Sequence, residues 1–289
     1  MAIYEIQSDE SLAAPVLIQA LSGWVDVGSA GTLAAARLAG DGELVATFDT
    51  DALFDYRTNR PVLDIEDASM KELAWPELTV RRASFGGRDL LVLTGTEPDL
   101  RWKEFASAVR EVSLRLGVTQ LISLGAVPAA IPHTMPTPVL ATASDRSLLA
   151  EDIPVLAGAM RVPSAAVSVI DMDLSEAGIP TVGFWAQVPH YVAALYHAGA
   201  VALLRRTAEH LRIDIPIEDF EEEARNQRAE LDQIVDARPE AKAYVERLEQ
   251  MADEQQVPSG EEIAAELERF LRETTDPHPF EDGGSDTGP

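Results

Sequence analysis

The side chains of this sequence that could move protons or hold an anion fall in short stretches beside prolines and glycines. Asp49-Thr-Asp51-Ala-Leu-Phe-Asp55-Tyr-Arg57-Thr-Asn-Arg60-Pro61 is the densest charged run before the C-terminal quarter. Its arginines could grip a carboxylate or phosphate with both arms of the guanidinium. The plainer reading is a salt-bridged loop in which Asp55 pairs with Arg57 or Arg60. Calcium is excluded there. Counted from Asp49, the fifth, sixth and twelfth positions are Leu53, Phe54 and Arg60, where a calcium loop needs an oxygen donor, Gly and Glu. Pro132-His133-Thr134-Met135-Pro136-Thr137-Pro138 presents a histidine on a proline-stiffened loop. His133 could act as a base or acid near neutral pH, or tie the loop by one hydrogen bond to a carbonyl. Val188-Pro189-His190-Tyr191 repeats the arrangement. Proline suits the first turn of a helix, so His190 is expected in such a turn. His197 would then lie on much the same face. Histidines seven apart are not a zinc pair, which uses i,i+4 on one helix. No metal and no cofactor is expected.

Two further stretches sit at the same kind of position. Leu21-Ser-Gly-Trp24-Val-Asp26-Val-Gly28-Ser-Ala-Gly31 lies between an apolar run and an alanine-rich one. That is strand, glycine-punctuated turn, helix. The turn either faces a ligand, with helix N–H groups offered to an anion, or is a tightly packed corner. Its spacing is neither G-x-G-x-x-G nor G-x-x-x-x-G-K-[ST]. Pro98-Asp99-Leu100-Arg101-Trp102 opens a helix, with Asp99 as its expected N-cap and Trp102 as an anchor in the first turn. The sequence has no H-E-x-x-H, no G-x-S-x-G and no cysteine. It contains no complete catalytic set of these kinds.

The elements that must position these residues alternate between strand and helix. Pro15–Leu21 is an apolar run that reads as a buried parallel strand, and Val118–Gly125 reads as a second buried strand. Ala2–Ile6 is expected as a short edge strand, and Glu43–Asp49 as another strand. Residues 77–84 and 89–94 flank Phe85-Gly86-Gly87-Arg88, a hairpin signal. Helices are expected over Gly28–Gly40, Arg101–Leu116, Pro163–Ala177 and from Pro189 to about Leu211. Short strands are expected at Val139–Ala143 and Pro180–Ala186. Such alternation implies an α/β sheet with helices on both faces. Sites in such sheets form at the carboxyl ends of the strands. Asp26, Asp51, Arg57, His133 and His190 could converge there on a small anionic metabolite.

After Asp214 the pattern is helical only. Ile217, Phe220, Ala224, Leu231 and Ile234 keep a helical period, as do Ala241, Tyr244, Leu248 and Met251. Ser259–Glu262 forms a capping box, with Ile263, Leu267, Phe270 and Leu271 behind it. A unit this small rarely buries enough area to stand alone, so it is expected to pack on its own body or on a neighbouring subunit. The expected organisation is an α/β body over 1–213, an acidic helical appendage over 214–273 and a disordered tail over 274–289.

Net charge is −26 over 289 residues. Residues 1–213 carry −10 and residues 214–289 carry −16. Nucleic acid and anionic membrane both attract basic patches, so neither is an expected partner. Arginine outnumbers lysine 20 to 3. The longest apolar run, 191–204, is 14 residues and too short to span a bilayer. Without cysteine, and without a basic start followed by an apolar segment, a cytoplasmic location is expected.

Taken together, these stretches resemble the proteasome assembly chaperone 2 family in its bacterial, actinobacterial-type form. The resemblance is carried by Gly23-Trp24-Val25-Asp26-Val27-Gly28, by Phe48-Asp49-Thr50-Asp51 with Asp55-Tyr56-Arg57 and Arg60-Pro61, by Glu97-Pro98-Asp99-Leu100-Arg101-Trp102, by Pro132-His133-Thr134 and by Val188-Pro189-His190-Tyr191. It implies a phosphorylase/hydrolase-like three-layer α/β/α fold with a C-terminal helical appendage. It further implies a homo-oligomer, with a trimer preferred, and a non-catalytic assembly or scaffold role with a protein partner. The candidate site comprises Trp24, Asp26, Asp51, Asp55, Arg57, Arg60, Trp102, His133, His190 and Tyr191. Two departures from the family pattern matter. Met135 stands where an arginine is expected after His133-Thr134. The chain ends Asp-Thr-Gly-Pro, so docking on a proteasome through a C-terminal hydrophobic-Tyr-any tripeptide is not expected.

Overall fold

The computed structural model describes residues 3–8, 12–151, 153–155 and 158–253. In chain order its main elements are β1 (Tyr4–Ile6), β2 (Val16–Ser22), α1 (Ala30–Ala39), β3 (Leu44–Phe48), α2 (Thr50–Leu53), β4 (Val62–Glu66), β5 (Ser69–Ala74), β6 (Leu78–Phe85), β7 (Arg88–Thr96), α3 (Trp102–Arg115), β8 (Gln120–Ala129), β9 (Val139–Ala143), α4 (Ala166–Glu176), β10 (Thr181–Pro189), α5 (His197–Leu211), α6 (Glu218–Asp236) and α7 (Pro239–Asp253). The expected capping box at Ser259–Glu262, the apolar stripe behind it and the tail from residue 274 lie outside the described residues.

The apolar runs become the middle of one mixed sheet, in the order β1-β3-β6-β7-β2-β8-β10-β9. β7, β2, β8 and β10 run parallel. β6 is antiparallel to both β3 and β7, so β3 points the same way as the parallel set. The loops after β2, β3, β7, β8 and β10 therefore leave one edge of the sheet. Alternation along β2 sends Val16, Ile18 and Ala20 to one face and Leu17 and Leu21 to the other, which belong to two separate buried clusters. α1 and α5 cover the first face, α3 and α4 the second. This is a three-layer α/β/α fold. On α1 the buried residues are mainly alanine, with Gly31, which lets the helix lie close to the sheet. α6 packs on α5, and α7 on α6. The described helices after residue 214, α6 and α7, thus pack on the chain's own body.

Several expectations need correction. The helix expected from Pro189 starts at His197 instead, because Pro189 is the last residue of β10 and pairs with Ala129 of β8. His190 lies in a turn, not in a helix with His197. The helix expected from Gly28 begins at Ala30, after a short 3-10 turn over Val27–Ser29. Asp99 does not cap α3; the N-cap is Arg101, in left-handed conformation at φ 57°. The charged run after β3 opens with a short helix capped by Asp49, whose Oδ1 accepts from the Ala52 N–H at 3.4 Å.

One element was not expected. β4 and β5 form a two-stranded hairpin outside the main sheet, exposed along its whole length. Its register sets Leu63 opposite Leu73 and Ile65 opposite Met70, with Asp64 opposite Glu72 and Glu66 opposite Ser69 between them. One face of this ribbon therefore gathers Leu63, Ile65, Met70 and Leu73, while the other mixes Asp64, Glu66 and Glu72 with Val62 and Ala74. Ile65 is 63% exposed and Met70 78%.

Candidate functional site

The loops after β8 and β10 meet beneath the C-terminal helices. The Tyr191 hydroxyl accepts from the His133 backbone N–H at 2.8 Å and lies 2.8 Å from His133 Nδ1. On the other side of the ring, His133 Nε2 is 3.1 Å from Asp232 Oδ1 of α6. The Thr134 hydroxyl donates to Glu249 Oε1 of α7 at 2.5 Å. His190 Nδ1 is 3.2 Å from the Ala129 carbonyl, and its Nε2 is 3.1 Å from the Tyr244 hydroxyl of α7. The rings of His133, Tyr191, His190 and Tyr244 form a run of edge-on contacts. His133 is 4% exposed. Burial lowers its pKa, and the Asp232 carboxylate opposes that shift. Burial also pushes the Tyr191 hydroxyl up to about 12. At neutral pH both are uncharged, and they serve as hydrogen-bonding links between two loops and two helices.

The turn after β2 is a packed corner. Asp26 is 7% exposed. Its Oδ1 accepts from the Gly31 N–H at 2.7 Å and the Thr32 N–H at 3.2 Å, and its Oδ2 accepts from the Thr32 hydroxyl at 2.5 Å. It thus satisfies the free N–H groups that begin α1. Burial raises its pKa, and these bonds hold it back. The glycine spacing follows from close approach. A Cβ on Gly31 would meet the Leu124 carbonyl at 2.8 Å, and Gly28, at φ +63°, faces Tyr196 Cβ. Trp24 packs at the margin of the cluster under α3 and α4.

The run after β3 closes on itself and on the loop after β7. Asp55 accepts from Arg57 Nε at 3.0 Å and Nη2 at 2.8 Å, and this pairing draws its pKa down to about 2. Asp51 accepts from the Tyr56 hydroxyl at 2.6 Å. Asp99 accepts from the Asp55 N–H at 2.9 Å and from Asn59 Nδ2 at 3.0 Å. Trp102 donates from Nε1 to the Pro98 carbonyl at 2.5 Å. Glu97 accepts from the Ala166 N–H at 2.6 Å, at the start of α4. Arg60 is exposed.

The candidate residues thus occupy separate places along one edge. His133, His190 and Tyr191 come together; Asp51, Asp55 and Arg57 gather around the loop after β3; Asp26 is held at α1. β3 and β8 stand four positions apart in the sheet, roughly 19 Å at ordinary strand spacing. Among the described residues no group of three or more His, Asp or Glu is placed to hold a metal. No described helix is long and apolar enough to cross a membrane.

A buried polar cluster escaped the sequence reading. Gln19 Nε2 of β2 donates to Ser123 Oγ of β8 at 2.7 Å and to Asp171 Oδ1 of α4 at 3.0 Å, and the Ser123 hydroxyl donates to the same carboxyl at 2.5 Å. Desolvation pushes Asp171 up to about 7. The available signal was a glutamine and a serine interrupting two mainly apolar strands. The two are direct neighbours in the β2–β8 register.

Comparison with known proteins accords with this architecture. Residues 20–235 match the PAC2 family. Among solved structures, the Mycobacterium tuberculosis protein Rv2714, described as of unknown function, is 36% identical, with 95% of this chain and 97% of that one covered and a TM-score of 0.85. A protein of unknown function from Corynebacterium glutamicum is 31% identical over 89% of this chain and 99% of that one, with a TM-score of 0.84. The M. tuberculosis proteasome-assembly chaperone homologue Rv2125 is 32% identical over 80% of this chain and 99% of that one, with a TM-score of 0.73. No curated protein matches. With more than half of the chain matched by the family pattern, and the three-layer fold shared with relatives at this level of identity, the chain belongs to the PAC2 family.

Proposed function

We propose that this protein is a non-catalytic assembly factor of the proteasome-assembly-chaperone kind, working in the cytoplasm as a homo-oligomer, with a trimer preferred, that presents its surface to a protein partner. The observation that carries this reading is the state of the strand-end edge. An open α/β enzyme holds its substrate there. Here that edge is occupied by the chain's own contacts: Asp26 on the start of α1, Asp55 on Arg57, His133 and Tyr191 beneath α6. Resemblance to a protein described as a proteasome-assembly chaperone homologue supports the same direction. The test is co-expression of the tagged full chain with proteasome α subunits from its own genome, followed by sedimentation and cross-linking. Co-sedimentation of a defined oligomer with α subunits is expected. A monomer that retains no α subunit overturns the reading.

A further inference from the structure

Behind the strand-end edge lies a cleft of about 550 Å³ that none of the family motifs reaches except through His133. It runs between α5, α6 and the proline loop after β8. Arg205 and Arg206 of α5 and Arg225 and Arg228 of α6 line it, against Glu209 and Glu221. Those carboxylates are already engaged: Glu221 with Arg205 at 2.7 Å and Glu209 with Arg206 at 3.1 Å. Arg228 has only a loose pairing, 3.9 Å from Asp232, which also bonds His133. Among the described residues Arg225 has no ion pair. Arg225 and Arg228 are three apart on one helix, so their guanidinium groups project as neighbours. The lining also includes the apolar Pro136, Val139 and Leu231, beside the polar Thr137 and Gln227.

This is a local excess of positive charge in a concave site on a chain of net −26. With Glu209 and Glu221 paired to Arg206 and Arg205, the excess of positive charge lies at Arg225 and Arg228, and an excess of one sign in a concave site concentrates counter-ions. The volume lies in the usual range for small-ligand sites. Guanidinium forks match the paired oxygens of phosphate and carboxylate. We propose that this cleft binds a small, multiply charged oxyanion, with Arg225 and Arg228 as its principal contacts and the apolar Pro136, Val139 and Leu231 holding the ligand's body. Phosphate esters and polycarboxylates share that chemistry. The site is independent of the proposed assembly role, which would stand or fall on the α-subunit experiment.

The test uses the full chain in calorimetry and thermal unfolding, with millimolar pyrophosphate, ADP and citrate as probes and sodium chloride at matched ionic strength as control. Saturable binding of at least one probe is expected, beyond the effect of salt. A response to pyrophosphate and ADP but not citrate identifies a phosphate site, and the converse a carboxylate site. Arg225→Gln is expected to weaken that binding at least about tenfold, and Arg225→Glu to abolish it, with the unliganded melting point unchanged because Arg225 holds nothing in place. Arg57→Gln is expected to bind as the parent does. Absence of saturable binding for all three probes overturns the proposal, as does binding that Arg225→Glu leaves intact.

Discussion

The loop after β3 and the loops after β8 and β10 carry the same kind of residues at the same edge of the sheet, yet the structure uses them differently. After β3, Asp55 and Arg57 pair in water; the Arg57 side chain is 86% exposed. After β8 and β10, His133 and Tyr191 are roofed by α6 and α7, and the His133 side chain is 1% exposed. An exposed pair exchanges one set of solvated contacts for another and adds little to stability. A buried network has no water to fall back on, so each lost partner leaves a group unsatisfied. Similar chemistry in sequence thus becomes a surface ornament in one place and a clamp in the other, and what separates them is whether a later segment of chain arrives to cover the loop.

That contrast can be broken by experiment. The largest effect is expected from His133→Leu, which strips Asp232 and the Tyr191 hydroxyl of a shared partner. A loss of about 2–3 kcal/mol in denaturant unfolding is expected; a loss under about 0.5 kcal/mol would show that the clamp contributes no more than a surface pair. Acidification comes next. The folded-state pKa of His133 lies below its usual value, so the unfolded chain takes up its proton first. Its contribution is complete above about pH 6.5 and is lost as pH falls from there toward the folded-state pKa. The parent should therefore lose more stability than His133→Gln across that interval, measured by thermal melts. Tyr244→Phe removes the hydroxyl that meets His190 and should cost about 1 kcal/mol, with faster amide exchange in α7. Arg57→Gln is the smallest, within about 0.5 kcal/mol; a larger loss would place the loop after β3 in the same class as the clamp.

Much of the fold was legible because burial imposes a pattern. Pro15–Leu21 is apolar save for Gln19, and Val118–Gly125 is mainly apolar, with Thr119, Gln120 and Ser123 among its residues; both supply central strands. The Phe85-Gly86-Gly87-Arg88 turn is legible because both glycines adopt positive φ. The β4–β5 hairpin was not, since neither strand is buried and half its positions are polar. The start of α5 was misplaced because a proline before a histidine looks the same at a helix start and at the end of a strand. Only the pairing of Pro189 with Ala129 separates the two. In the site, His133, His190 and Tyr191 stood out as loop residues. Asp232 and Glu249 did not, because on isolated helices they look like solvent-facing positions, and Tyr244 stood out only as a member of an apolar stripe. Asp232 comes 99 residues after His133, and no local pattern links them.

The hairpin of β4 and β5 gives the chain an unusual colloidal character. It carries Ile65, Met70, Leu63 and Leu73 on one open face, a surface that in a near-neutral protein would stack on its neighbours. Here it rides on a polyanion of net −26, whose long-range repulsion opposes unspecific approach of the hairpin to another acidic surface. Ionic strength therefore sets how often the hairpin meets another surface. At low salt the charge cloud reaches well beyond the ribbon; near physiological salt it shrinks to about 8 Å, and apolar contacts at the tip become accessible.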